Sequence, residues 1–357
     1  MNEFTFFKMN YEYDNDSEEI KIYPVGLINL SRHQKIKNYN VYKKLNLYNT
    51  CYINASIQCL FRLDEFVKNI LKCDKGDLVL ATKNLINSMN SKYNKNRQCA
   101  VHEIKQAMGE KDEIYKYEEQ QDANEFISNY LNDLIEETNN TGNNTWKYLE
   151  HDKIYFCKFY DKFINRKGNS FILDLFYGLL RTENYCKNCK HTFSIKFNSY
   201  NIIELPITEY NNNSQTLDLR VLLHNYISER KSKNEVCSVC KNEVTIKTSL
   251  YSLPRCLIIY FNRGSSQEYI NRINIQKSIN LENYIYDKSL NDDGDFFYHL
   301  KGIVFYSDFS KKIGHFKSAC LVNNEKWYYF DDNTYETDKD LLRIYENENP
   351  SILFYEK

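Results

Sequence analysis

The sequence predicts an α+β protein, and three observations carry the prediction. Apolar residues recur at helical spacing through roughly the first 150 residues, most strongly at Phe126, Ile127, Tyr130, Leu131, Leu134 and Ile135. After about residue 150 the texture changes to short runs rich in β-branched and aromatic residues. A helical block followed by a β-rich block, rather than strict alternation, is the order expected of an α+β fold. The length, 357 residues, allows about two domains or one elaborated domain with a sizeable core.

Each element has its own signal. Residues 1–40 are mixed and charged, without a clear period. Tyr52, Ile53, Ser56, Ile57, Leu60 and Phe61 repeat at helical spacing, and Asn49 or Thr50 suits the N-cap. Leu78, Leu85 and Met89 mark a second helix, and Val101, Ile104 and Met108 a third. The stripe from Phe126 is ended by the polar stretch 139–142. Just before it, Asp122 and Glu125 stand in a capping-box arrangement. Strands are expected at 154–160, 193–197, 244–251, 257–261, 300–306, 316–322, 327–330 and 352–355, with polar loops at 139–145, 210–215 and 291–295.

Composition excludes several classes. A formal net charge of -1 lacks the basic excess of a nucleic-acid binder. No apolar run approaches the ~18 residues of a membrane span, the longest tight one being 256–261. The start, Met1-Asn2-Glu3 and then the acidic stretch 14–19, is no secretory signal. The chain is therefore expected to be soluble and intracellular, cytoplasmic or nuclear, and to work as a monomer. Ten glycines and four prolines beside 31 tyrosines read as a nucleotide bias of the genome, which makes each retained glycine more telling. Eleven cysteines are too sparse for a disulfide scaffold. They are expected to divide into metal ligands, a reactive thiol and packing groups.

Cys186-Lys187-Asn188-Cys189 and Cys237-Ser238-Val239-Cys240 are two C-x-x-C knuckles. Each sets two thiolates on one tight turn, and together they can complete a tetrahedral four-cysteine zinc site with Zn–S of about 2.3 Å; two unrelated redox or packing pairs are the alternative. The 47 residues between them add little to closure, since loop entropy grows only logarithmically. With four thiolates and no open position, such a zinc is structural. His191, two residues past the first knuckle, could serve as a ligand but is expected at the surface. The second signal is Cys51, at the start of a helical stripe, where the positive end of the helix favours a thiolate. Buried helix cysteines are common, so position alone leaves a nucleophile and a packing thiol both open. Cys59, two turns on, is expected in the core.

Asn46-Leu47, Asn49-Thr50-Cys51-Tyr52, Asn54 and Gln58-Cys59-Leu60 resemble the cysteine box of the ubiquitin-specific proteases, the papain-like deubiquitinating enzymes. Gln120-Gln121-Asp122-Ala123-Asn124-Glu125-Phe126 resembles that family's glutamine-aspartate box, and Gly314-His315-Phe316 with Trp327-Tyr328-Tyr329-Phe330-Asp331-Asp332 its histidine box. Further landmarks stand in the family's order: Phe176 and Gly178, Leu205-Pro206-Ile207, Leu253-Pro254-Arg255-Cys256-Leu257, Asn262-Arg263, and the closing Leu353-Phe354-Tyr355-Glu356-Lys357. The resemblance covers about residues 43 to 357.

That resemblance implies a papain-like fold of the ubiquitin-specific type: a helical thumb over about 43–165, zinc-bearing β fingers over about 166–255 and a β palm over about 256–357, after an extension, 1–42, of unknown role. It implies Cys51 as nucleophile, His315 as general base and acid, Asp331 as the residue orienting His315, with Asp332 as second choice, and Asn46 as oxyanion donor. Asp122 and Glu125 would hold the basic tail of ubiquitin, besides capping their helix. The implied partners are ubiquitin and ubiquitinated proteins. Two alternatives stay open: a same-fold protease for another ubiquitin-like modifier, and a catalytically weak, zinc-stabilised ubiquitin-binding module.

The sequence also sets problems for this reading. Strands 316–322 and 327–332 form a hairpin around 323–326, and a plain register pairs Asp331 with Ser318, three residues and roughly 10 Å from His315. A bend or bulge must close that gap, or another residue orients the ring. Tyr48 stands where the family has glycine; a positive φ there would cost a tyrosine about 1–2 kcal/mol. Lys43 and Lys44 replace the family's Gly-Leu opening, and Asp308 stands where a glycine follows serine before the histidine. Gly26-Leu27-Ile28-Asn29-Leu30 imitates the missing opening without a following Thr-Cys, and is taken as coincidence.

Overall fold

In the computed structural model, which describes residues 21–29, 48–90, 101–142, 146–207, 216–264, 272–291, 294–310, 313–338 and 348–357, the stripe after Thr50 becomes α1 (Cys51–Leu60). All ten of its residues are buried. A surface helix buries one stripe, whereas α1 runs through the core and must satisfy its polar side chains internally. Around it lie α2 (Asp64–Lys72), α3 (Asp77–Asn90), α4 (His102–Lys111) and α5 (Ala123–Glu137). The α5 stripe is buried throughout. Asp122 caps it, Oδ1 accepting from the backbone N–H of Asn124 (2.7 Å) and Glu125 (3.2 Å).

One expected strand is a helix. Residues 154–160 belong to α6 (Lys153–Lys167). Their aromatic composition suits a strand, but the rings pair at helical spacing: Phe156 with Tyr160 (centroids 5.6 Å) and Phe159 with Phe163 (5.7 Å). Phe156 then seats against Phe197 (5.7 Å) and Tyr251 (6.4 Å), while Ile154 is left exposed. Gly168 (φ 74°) ends α6, and α7 (Phe171–Phe176) begins under the Ser170 cap.

The rest is mainly sheet. Strands β1 (Gly178–Cys186), β2 (Thr192–Tyr200), β3 (Ile202–Pro206) and β4 (Leu217–Asp218) lead to α8 (Leu219–Ile227). They are followed by β5 (Arg230–Val236), β6 (Glu243–Ser252), β7 (Cys256–Asn262), β8 (Ile273–Asn274) and β9 (Ser278–Asn280). The chain closes with β10 (Phe297–Ser310), β11 (Ile313–Val322), β12 (Lys326–Asp331), β13 (Thr334–Asp338) and β14 (Pro350–Glu356). A four-stranded sheet, β2-β1-β6-β5, carries both knuckles at one end, and an eight-stranded sheet runs β13-β12-β11-β10-β14-β7-β3 with β9 beside β10. The large sheet is buried on both faces. Phe316, Cys320, Ile352 and Phe354 point into the helical core, and Ala319, Leu353 and Tyr355 into a second core that includes α8. That is why β14 reads as an unbroken apolar run. Cys59 lies 3.7 Å from Cys320, Sγ to Sγ, where α1 meets β11.

Residues 21–29, from the stretch without a period, lie against α1. Ile22, Val25 and Leu27 enter the helical core. Four side chains at four-residue spacing donate to the segment's carbonyls in reverse order: Thr50 Oγ1 to Ile28 (3.1 Å), Asn54 Nδ2 to Leu27 (3.2 Å), Gln58 Nε2 to Val25 (2.7 Å) and Arg62 Nη1 to Ile22 (2.8 Å). Residues four apart share one helix line, so the buried polar line of α1 is matched to this segment's backbone.

Candidate active site

Cys51 is the first residue of α1, and Thr50 holds the N-cap position without a side-chain cap. The Thr50 hydroxyl instead donates to Ile28 O. The left-handed residue before Thr50 and Cys51 is Asn49 (φ 53°), not Tyr48. Asparagine tolerates that region, so the strain expected of Tyr48 does not arise. Tyr48 is buried, and its carbonyl accepts from the buried Lys105 Nζ at 3.4 Å. Burial lowers the Lys105 pKa to about 8.

Cys51 Sγ accepts from Gln120 Nε2 at 3.1 Å. The same amide holds the residue before the histidine, donating to Gly314 O (2.8 Å) and accepting from Gly314 N at Oε1 (3.3 Å). Gln120 therefore ties Cys51 to the residue before His315, a link its place in the glutamine-aspartate box did not announce. Gly314 is a necessity of space, since a Cβ there would stand 2.2 Å from Tyr306 Oη.

His315 Nε2 lies 2.6 Å from Asp331 Oδ1, and the ring also hydrogen-bonds Cys51. The expected gap between His315 and Asp331 is closed by register. The turn is one residue tighter than expected, with Val322 opposite Lys326, left-handed Asn323 and Asn324 between them, and Ser318 opposite Phe330 rather than Asp331. Asp331 thus falls opposite Lys317, on the face that alternation also gives to His315, and the two meet as a diagonal pair. Its other oxygen, Oδ2, is 3.5 Å from Lys317 Nζ. Burial works to lower the His315 pKa. The bonds to Asp331 and Cys51, with the charge of Asp332, more than offset it and push the value up to about 10. The bond to His315 likewise holds the Asp331 carboxyl below its ordinary value. Asp332 is 3.9 Å from Nε2 and is pushed up by burial. Its oxygens take Asn54 Nδ2 (2.9 Å) and Asn29 Nδ2 (2.7 Å). Two ligands of one tetrahedral zinc stand about 3.3 Å apart, so the 2.6 Å His315–Asp331 contact is a direct charged hydrogen bond rather than two arms of a metal site.

The four knuckle cysteines form a separate cluster, every Sγ within 4.8 Å of the others. Cys186 faces Cys240, and Cys189 faces Cys237, both at 3.5 Å. Tetrahedral Zn–S bonds of 2.3 Å place sulfurs about 3.8 Å apart, so this donor set could hold a metal ion. Lys190 (φ 59°) and Lys241 (φ 60°) close the two turns identically, each N–H returning to the carbonyl of its knuckle's first cysteine (2.9 Å in both). His191 is exposed against Phe193 and stands outside the cluster.

The family model described as ubiquitin carboxyl-terminal hydrolase matches residues 42–355. The chain belongs to that family. Ubiquitin carboxyl-terminal hydrolase Usp2 of Drosophila melanogaster is 26% identical over 343 residues, covering 87% of this chain and 34% of that protein. Ubiquitin carboxyl-terminal hydrolase 5 of Saccharomyces cerevisiae is 25% identical over 365 residues, covering 87% and 44%. The chain thus spans between a third and a half of these relatives' length. The solved SAGA Ubp8/Sgf11/Sus1/Sgf73 DUB module bound to ubiquitin aldehyde superposes with a TM-score of 0.69 at 17% identity, over 95% of this chain and 70% of that one. The same module bound to monoubiquitin gives 0.68 at 18%. At that identity the likeness establishes the fold, mixed α+β of the ubiquitin-specific type, with the four-cysteine cluster in the region of the fingers.

Asp122 and Glu125 are exposed at the start of α5, Asp122 with one oxygen held by the cap. Asn46 lies outside the described residues, as do Lys43, Lys44 and His33. The other histidines stand apart from the site: His151 beside Tyr286, His224 beside Tyr284, His299 on Ser278 and His102 beside Glu103. Gly26-Leu27-Ile28-Asn29, read above as coincidence, lies at the site: Leu27 N donates to Asp332 O (2.8 Å), and a Cβ on Gly26 would stand 2.2 Å from Asn333 O. Among the described residues no helix is long and apolar enough to cross a membrane.

Proposed function

We propose that the chain is a thiol-dependent deubiquitinase, hydrolysing isopeptide or peptide bonds after the C-terminal glycine of ubiquitin. The observation that carries this reading is Cys51 and Asp331 on one imidazole, in a chain of this family. With the His315 pKa raised to about 10, the imidazolium is the resting form at neutral pH. The proton needed by the leaving amine is therefore already on the ring. Cys51, its own proton already passed to His315, bonds through Sγ to the glycine carbonyl carbon, the C–N bond breaks, and His315 gives that proton to the lysine amine. Water then attacks the thioester, His315 takes a proton from it, and ubiquitin leaves as a carboxylate. Asp331 orients the ring, with Asp332 as the second choice, and Asn46 donates to the oxyanion. Asp122 and Glu125 hold the basic tail of ubiquitin.

Cys186, Cys189, Cys237 and Cys240 hold a structural zinc ion that supplies folding energy and no chemistry. The thumb spans about 43–165, the fingers about 166–255 and the palm about 256–357, and the chain works inside the cell as a monomer. The test is a fluorogenic C-terminal ubiquitin conjugate, with wild type against Cys51→Ala, alongside conjugates of other ubiquitin-like modifiers. Turnover of the ubiquitin conjugate by wild type alone is expected. Binding of ubiquitin without turnover by either protein would overturn the reading in favour of a binding module. Turnover of another modifier alone would move the substrate. Metal analysis should give one zinc per chain.

A further inference from the structure

The charges at the site do not stop at Asp331. Strand alternation sets His315 and Lys317 of β11, Tyr329 and Asp331 of β12 and Ser307 of β10 on one face of the large sheet, with Ser307 directly opposite His315. Asp331 gives Oδ1 to His315 Nε2 (2.6 Å), which leaves Oδ2 outside that couple. Lys317 Nζ takes Oδ2 at 3.5 Å and Glu348 Oε1 at 3.3 Å, and it lies 5.5 Å over the Tyr329 ring. Glu348 is itself held from two strands, since Tyr329 Oη donates to its Oε1 and Ser307 Oγ to its Oε2 (3.0 Å). Imidazolium, carboxylate, ammonium and carboxylate therefore follow one another in a single chain of contacts. The other titratable groups facing it are Cys51 on the His315 ring, Asp332 at 3.9 Å from Nε2, and Glu336 of β13, whose charge acts on Tyr329.

Exposure shows which member of the chain is loose. The Asp331 side chain is 41% exposed, and rotation about the last bond of a carboxylate is only weakly restricted. The side chains of Lys317 and Glu348 are 17% and 15% exposed. A covered ammonium between two carboxylates is the stiffer end of the pair. We propose that Lys317 is a positioning residue for the reaction: anchored by Glu348, it holds the outer oxygen of Asp331 and so turns the other oxygen onto His315. The proposal rests on the deubiquitinase reading for its substrate and on geometry for the network. Without the lysine, Asp331 regains its rotation, the imidazolium loses part of its support, and the Cys51 thiolate beside the ring is less favoured.

Two measurements on the full-length chain test this: kinetics on the fluorogenic ubiquitin conjugate, and iodoacetamide alkylation of Cys51 across pH, read by mass spectrometry of the Cys51 peptide. Lys317→Met is expected to lower kcat on the order of 10-fold, the scale of a small misplacement of reacting groups, and to move the acid limb of the alkylation profile to higher pH. Glu348→Gln, which frees the lysine without removing it, is expected to move both in the same direction by less, and it carries the test if Lys317→Met does not fold. In an Asp331→Asn background Lys317→Met is expected to change neither reading further, because its route to the ring is already cut. A lysine that acts by its field alone would move the limb equally in both backgrounds, and a lysine that serves only the fold would lower the urea midpoint and leave the limb in place. Either result overturns the proposal. Should wild type leave the ubiquitin conjugate intact, the deubiquitinase reading falls, and the alkylation profiles still decide on Lys317.

Discussion

Two neighbouring aspartates have been given different work by their surroundings. Asp331 is half-exposed and its carboxyl is held down by the bond to His315. Asp332 is mostly buried, is pushed up by burial, and spends its oxygens on Asn29 and Asn54. Asp331→Asn is therefore expected to cost kcat on the order of 10² to 10⁴, and Asp332→Asn less, as steady-state kinetics can check. The same couple makes a pH prediction. A raised histidine stabilises the fold fully below its ordinary 6.5, and that contribution is lost as pH rises toward about 10. A lowered carboxyl stabilises it above its ordinary 3.8, and that contribution is lost as pH falls through the lowered value. The stability gap between wild type and Asp331→Asn, taken from urea midpoints, should be widest near pH 5–6 and shrink on the way to pH 10. A gap that stays constant to pH 10 would show that the pair is not charged.

At the scale of elements, the knuckles and α6 depend on different physics. Strands β1, β2, β5 and β6 converge on two turns whose four sulfurs are spaced for a metal ion. Removing metal with a chelator should expose the chain between 186 and 240 to limited proteolysis, while the eight-stranded sheet, which has its own two cores, stays resistant. Cleavage kinetics that are the same with and without chelator would count against the metal. Helix α6 is held by ring stacking rather than by a broad apolar stripe. Phe156, 2% exposed and wedged on Tyr160, Phe197 and Tyr251, should cost about 3–5 kcal/mol on truncation to alanine, seen as a lowered urea midpoint.

For the whole molecule, segment 21–29 matters out of proportion to its length. It fills core positions with Ile22, Val25 and Leu27, and it accepts from Thr50, Asn54, Gln58 and Arg62. Deleting residues 1–29 leaves those donors buried without these acceptors, at about 1–3 kcal/mol each, against a total stability of only about 5–15 kcal/mol. The truncated chain is expected to be unfolded or insoluble at 25 °C, as a thermal melt or a solubility assay would show. Retention of the full-length melting temperature would sink this account.

Cys51 and His315 as candidates, the knuckles and the α+β order were legible in the sequence because each is local: a helix start, a short spacing, a change of period. Asp331 was legible as a candidate but not as a neighbour of His315. Its distance depends on a one-residue difference in hairpin register, and a register is chosen by which face the sheet buries. Gln120, Asn29 and Asn54 gave no sign of their partners, since a side-chain amide carries no period and bonds whatever the fold brings to it. Helix α6 was misread because aromatic composition resembles a strand until it is known what the rings pack on. The sequence by itself determined the family and the chemical groups available to it. Only the tertiary structure decided which amides and carboxylates meet, because those contacts join residues up to 303 positions apart and exist only after the helical core has closed around α1.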